Sequence, residues 1–113
     1  MEIVNARIER TMLGPEDHGI LTAYLHLVGD CWGQGFGGYA LDDWDERKRE
    51  RVGSAWGMEF IRLVLKVLEV ERWEDLPGTI VRVRYADTRH HGSIEAIGHC
   101  LKDQWLNPKE IKL

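Results

Sequence analysis

The sequence predicts an α+β domain in which one main helix packs on a mostly antiparallel sheet, in the order βββ-α-ββ. Three observations carry this. Apolar and polar residues alternate with period two in five separate stretches. Only one stretch, 54–69, repeats its apolar residues at helical period. Clusters of Gly, Pro and Asp punctuate the gaps, and no parallel βαβ unit is written between them.

The first strand is expected over 2–12, with Val4, Ala6 and Ile8 on one side and Asn5, Arg7 and Glu9 on the other. Gly14-Pro15-Glu16-Asp17-His18-Gly19 follows as a turn: Pro fixes φ, Asp can close an Asx turn, and Gly admits positive φ. Residues 20–28 read as the second strand, with Leu21, Ala23, Leu25 and Leu27 sharing a face, hairpinned to the first. Gly29-Asp30 is a further turn, and the chain returns as a third strand through Leu41.

Asp43-Trp44-Asp45-Glu46 has the pattern of a capping box, so the charged run 47–51 is expected as a solvated helical turn interrupted near Gly53. In the main helix, Trp56, Phe60, Leu63, Val64, Val67 and Leu68 form one stripe, opposite Glu59, Arg62, Lys66 and Glu69. Leu76-Pro77-Gly78 closes this region, because proline cannot continue a helix. Residues 79–85 are a β-branched strand with Val81, Val83 and Tyr85 alternating against Arg82 and Arg84. Asp87-Thr88-Arg89-His90-His91-Gly92 is a polar turn, and 93–101 a fifth strand. The tail, 102–113, is expected to dock Trp105 on the body.

Length and composition bound the function. A chain of 113 residues is one domain, 1–113, with a single modest core. A net charge of −4 argues against a dedicated nucleic-acid binder, which carries a basic surplus. No apolar run reaches the roughly 20 residues that span a bilayer, and the start lacks a signal-peptide core. Cys31 and Cys100 are too few for a disulfide scaffold and read as reduced thiols of a cytosolic protein.

The densest site signal is Trp32-Gly33-Gln34-Gly35-Phe36-Gly37-Gly38-Tyr39. Gly33, Gly35 and Gly38 match the spacing of a dinucleotide fingerprint, but that mechanism needs a helix to begin at the third glycine. Here the segment runs on as a strand toward Asp42 and Asp43, so the fingerprint reading fails. As a strand it puts Gly33, Gly35 and Gly37 on one bare face and Trp32, Gln34 and Phe36 on the other. Each interior glycine weakens a strand by roughly 0.5–1 kcal/mol, so something must lie on that face. Two readings stay open: an aromatic ring such as Trp56 or Phe60 covers it, or a flat ligand or partner subunit does.

Other chemistry is sparse. His18, His26, His90, His91 and His99 lack metal-ligand spacing, so no metal and no cofactor is expected. Asp17 could orient His18 as a base, but no nucleophile accompanies it, and His99 and Cys100 fall on opposite strand faces. Trp56 reads as core, whereas Trp32, Trp44, Trp73 and Trp105 sit beside turns or termini. Such rings read first as satellite packing under loops beside surface arginines; the alternative is that, with Arg82, Arg84 and Arg89, they hold a nucleobase and a phosphate.

Six segments together carry a resemblance: IVNARIE at 3–9, DHGILT at 17–22, GQGFGGYALD at 33–42, GSAWGMEFIRLVL at 53–65, WEDLPGTIVRV at 73–83 and IGHCLKDQW at 97–105. They resemble a group of small proteins, of unassigned function, encoded by tailed phages and prophages. The resemblance implies expression in the host cytoplasm and a role in modulating the host. By analogy it points to sponges that sequester the nucleotide messengers of Thoeris or CBASS defence. The expectation is a non-enzymatic homo-oligomer that binds such a nucleotide through Trp32, Gln34, Gly35, Phe36, Gly37, Arg82, Arg84 and His99. The alternative is a protein-binding inhibitor of a host defence complex, such as an anti-CRISPR. A weaker one is a small phosphoesterase using Asp17 and His18.

Overall fold

A computed structural model describes residues 1–88 and 92–113, so Arg89, His90 and His91 lie outside the described residues. The chain runs β1 (Glu2–Glu16), β2 (Ile20–Gly29), β3 (Trp32–Ala40), β4 (Asp42–Asp45), β5 (Glu50–Gly53), α1 (Ala55–Leu68), β6 (Ile80–Tyr85), β7 (Ile94–His99) and β8 (Trp105–Leu106). Short 3₁₀ turns occupy Trp73–Asp75 and Pro108–Glu110. Six strands form one sheet in the order β3-β2-β1-β6-β7-β8, and every pair in it is antiparallel. One main helix packs on that sheet, so the expected class and element order stand, with two small additions.

The first addition corrects a sequence reading. Residues 42–53 form a hairpin of β4 and β5 rather than a helical turn. Asp45 is the reason: its carboxylate accepts the N–H groups of Arg47 and Lys48 at 2.8 and 3.0 Å, and its carbonyl accepts that of Arg49 at 2.8 Å. An aspartate that caps a helix and one that closes a turn use the same side-chain chemistry. Arg49, at φ 53°, turns the chain back. Arg51 then grips Asp42, donating Nε to the carboxylate at 2.9 Å and Nη2 to the carbonyl at 3.0 Å. The second addition is β8, a two-residue strand in the tail.

The helix forms as its stripe requires. Ser54 caps it by accepting the Gly57 N–H at 2.9 Å, and Glu69 ends it in the left-handed region, donating its N–H to Leu65 and Lys66 carbonyls. Phe60, Val64, Val67 and Leu68 are buried against Ile8, Leu25, Leu27, Phe36, Val81, Val83, Tyr85 and Ile97. Trp56 is only half-buried and stacks on Phe60 at 5.5 Å. Among the described residues, no helix is long and apolar enough to cross a membrane.

The long strand β1 sets the shape. Its first part pairs with β6, from Glu2 opposite Tyr85 to Arg7 opposite Ile80. Its later part pairs with β2, from Arg7 opposite Val28 to Glu16 opposite Ile20, after a register shift between Ile8 and Arg10. A bulge of this kind bends a strand and sharpens its twist. The sheet curls accordingly. Two strands separate β3 from β6, which in a flat sheet is about 14 Å, yet Tyr85 donates its hydroxyl to Gln34 at 3.1 Å.

Candidate functional site

The glycine-rich stretch is β3, an edge strand of the sheet. Its alternation follows the sequence from Trp32 to Phe36 and breaks at Gly37: Phe36 is buried toward the helix, where its ring lies 6.2 Å from Phe60, and Trp32 meets Tyr85 at 6.4 Å. Trp32, Gln34 and Phe36 therefore serve the interior. On the opposite side of the sheet a ring from β2 covers Gly35, whereas a Cβ on Gly33 would meet nothing closer than 3.6 Å and one on Gly37, at φ 116° beside a register shift, would point at the Ala23 carbonyl. A Cβ on Gly35 would fall 1.7 Å from Tyr24 Oη and 1.9 Å from Tyr24 Cζ. Trp56 and Phe60 lie on the helix side and do not reach it. Tyr24 stands opposite Gly37, so its ring covers its diagonal neighbour.

The arginines are used elsewhere. Arg82 and Arg84 project from β6, and their guanidinium carbons lie 4.8 and 4.9 Å from the centre of the Trp105 ring. Arg82 donates Nε to the His99 carbonyl at 2.8 Å and Nη2 to the Lys102 carbonyl at 2.7 Å. Arg84 donates Nε to Glu95 at 2.9 Å. Trp105 thus docks on the body as expected, and its ring rests on Gly98, where a Cβ would fall 2.6 Å from Cε3.

His99 accepts the N–H groups of Leu101 and Lys102 on Nδ1, at 3.1 and 3.0 Å, and so shapes the turn into the tail. Lys102 in turn sits 2.8 Å from Glu69. That bond, ahead of a further one from Gln104, holds the Glu69 carboxyl below the usual glutamate range. Of the sequence-predicted residues, the structure gathers Arg82, Arg84 and the His99 carbonyl around Trp105. Gly35 and Gly37 stand across β2 and β1 from them, and Trp32, Gln34 and Phe36 face the core.

Asp17 and His18 lie at the tip of the β1–β2 hairpin, paired at 2.9 Å and almost fully exposed. Cys31 and Cys100 are free thiols. Among the described residues, no three His, Cys, Asp or Glu side chains converge as a metal site would require.

What sequence reasoning missed is a cleft of about 280 Å³ between the end of β3, the start of β7 and the tail. Tyr39 supplies an aromatic wall, Ile94 and Pro108 apolar surface, and Ser93, Glu95, Asn107 and Lys109 polar groups. With Ala86 after β6, four separate segments meet there because the sheet curls and Pro108, buried after the Asn107 cap, fixes the path of the tail. Asn107 accepts the Lys109 N–H at 3.0 Å. Glu95 is already paired with Arg84, so its charge is compensated. Burial pushes the Tyr39 phenol up from its ordinary value. It therefore stays neutral at physiological pH, able to donate and accept. Tyr39 also packs edge-on against Trp56 and Phe60, at 5.7 and 5.6 Å. The only sequence signal was that Tyr39 ends the glycine stretch.

The volume lies just below the roughly 300–1,000 Å³ of drug-sized ligand pockets. It suits a single ring system with a few hydrogen bonds, not a whole dinucleotide. Comparison of the chain with protein-family models, with curated proteins and with solved structures finds no match.

Proposed function

We propose that this chain is a non-catalytic binding protein that holds one nucleoside end of a signalling nucleotide in the Tyr39 cleft. By sequestering the messenger in the host cytoplasm, it acts in the manner of the phage anti-defence sponges to which its segments point by analogy. The observation that carries the reading is the cleft itself: an aromatic wall, apolar surface and both donors and acceptors around a space of one ring system. The glycine face is not part of the site in this reading, because Tyr24 lies on it. Tyr39 flanks the base, Ser93 and Asn107 meet its polar edge, and the Lys109 ammonium offers charge to a phosphate. Arg84 remains in the reading through its bond to Glu95, which keeps that carboxylate from repelling an anion.

Native mass spectrometry of the protein with cyclic dinucleotides, cyclic trinucleotides and cyclic ADP-ribose isomers tests it. One class is expected to bind in whole-number ratio. Ser93→Trp, which fills the cleft, should abolish that adduct. Asn107→Ala should weaken it about tenfold, the effect of one buried hydrogen bond. A folded protein that stays free of ligand across the panel would overturn the nucleotide reading in favour of a protein-binding inhibitor.

A further inference from the structure

β1 is fifteen residues long, but β6 covers only its first part. Over residues 10–16 it is paired to β2 alone, and no backbone bond among the described residues reaches its other edge. The direction of the free groups follows from Leu21, which stands opposite Pro15. Leu21 turns its N–H to Asp42 at 3.1 Å and its carbonyl to Leu41 at 2.8 Å, both away from β1. Opposed residues in an antiparallel ladder point their polar groups both inward or both outward. Pro15, and by alternation Leu13 and Thr11, therefore turn theirs to the open edge.

The side chains along this edge are also unfinished. Leu13 is 48% exposed and Met58 70% exposed. With Leu21, Leu41 and Ile61 they line an apolar groove of about 250 Å³ beside the strand. An edge of this kind recruits another strand unless something blocks it.

We propose that a second copy of this chain pairs with that edge, β1 against β1 antiparallel about a twofold axis at Leu13. The sequence of the edge is self-complementary in that register and supplies the argument for the occupant. Leu13 exchanges both backbone bonds with the partner's Leu13, and the Thr11 N–H donates to the carbonyl of the partner's Pro15. Arg10 comes opposite the partner's Glu16 on the outer face, and symmetry makes two such ion pairs. On the inner face Leu13 meets the partner's Leu13, and the two cover each other beside Met58. Pro15 has no N–H, so the ladder ends there, which makes the interface short and closed rather than open-ended. The β2-side edge of β1 before Arg7 offers no such match, since reversal about Val4 sets Ile3 against the partner's Asn5. This dimer goes beyond the nucleotide reading and does not depend on it.

Three measurements on the full chain test it. Sedimentation equilibrium is expected to give a dimer. Arg10→Glu should weaken association at least tenfold, and adding Glu16→Arg to it should restore the dimer. In a Cys31→Ser, Cys100→Ser background, Leu13→Cys should cross-link to itself on mild oxidation. Hydrogen-bonded pairs hold their Cα atoms about 5.5 Å apart, within disulfide reach. Thr11→Cys should not cross-link, because the register separates the two copies of that residue by about 14 Å. Circular dichroism establishes that each variant is folded. A monomer at every concentration, a charge exchange that fails to restore association, or equal cross-linking of both cysteine variants would overturn the proposal.

Discussion

Of the aromatic rings that lie on glycines of this sheet, Tyr24 and Trp105 make an informative contrast. Tyr24 covers Gly35 on the β2–β3 flank, and Trp105 covers Gly98 on the β7–β8 flank. The local device is the same: a strand glycine gives up its side chain so that a neighbour's ring can sit on the backbone. What the ring secures differs. Tyr24 belongs to a ten-residue strand held by pairing on both sides, and it is 37% exposed. Trp105 belongs to a strand of two residues with two register pairs. Its ring, approached by Arg82 and Arg84, is a principal attachment of the tail that carries Asn107, Pro108 and Lys109 to the cleft. A ring on glycine is an ornament of a strand already held in place, and an anchor for one that is not.

Trp105→Ala breaks the contrast most directly. Removing a fully buried tryptophan costs about 3–5 kcal/mol, and this one is partly buried but also loses two guanidinium contacts, so about 2–3 kcal/mol is expected. Urea denaturation should show it, with loss of nucleotide binding as the cleft loses its tail. Tyr24→Ala should cost about 1 kcal/mol or less, because its surface is largely solvated. Equal losses from the two would mean that the tail is held by something other than its ring.

Valine at the two glycines sharpens the same point. At Gly98 the new Cβ meets Cε3 and Cδ2, at the root of a ring that Arg82 and Arg84 hold in place, so the ring must leave. A destabilisation of about 2 kcal/mol is expected, typical of overpacking. At Gly35 it meets Oη and Cζ, the far end of a Tyr24 side chain that can swing into water. There the gain in strand propensity from replacing glycine offsets the displacement, and the net change should stay within about 1 kcal/mol. Thermal melts of the two variants side by side measure the difference.

Much of this fold is written in the sequence. The helix is legible because one apolar stripe runs from Trp56 to Leu68 at helical period, and the observed caps, Ser54 and Glu69, fall at the ends of the expected 54–69. The five main strands are legible because alternation survives burial on one face. The β4–β5 hairpin was misread because Asp45 caps a turn with the chemistry it would use to cap a helix. The cleft was not legible at all. Tyr39, Glu95 and Asn107 are far apart in the chain, and only the bend in β1 and the path of the tail bring them together. The glycine alternation did announce a covering group, but one sequence cannot tell which ring comes across from the neighbouring strand, since that depends on register.

The smallest expected effect concerns pH, and it too separates the two flanks. The tail is tied to the helix end by Glu69, which accepts Lys102 Nζ at 3.0 Å and Gln104 Nε2 at 3.0 Å. These partners hold the Glu69 carboxyl below its ordinary value. A carboxylate whose folded value is lowered adds stability that is fully present above the ordinary glutamate pKa, about 4.3. That stability is lost as pH falls through the lowered value. Among the described residues, no carboxylate ties Tyr24 on the β2–β3 flank in the same way. On acidification the Trp105 indole N–H resonance is therefore expected to shift and broaden before the Tyr24 signals respond. Glu69→Gln should remove that early step while keeping an acceptor for Lys102. Simultaneous changes on both flanks, or an unchanged acid response in Glu69→Gln, would place the acid-sensitive contact elsewhere. The candidates are then Asp103, which accepts the Trp105 indole N–H at 3.1 Å, and the carboxyls that arginines hold below their usual range, Asp42 by Arg51, Glu59 by Arg62 and Asp75 by Arg72.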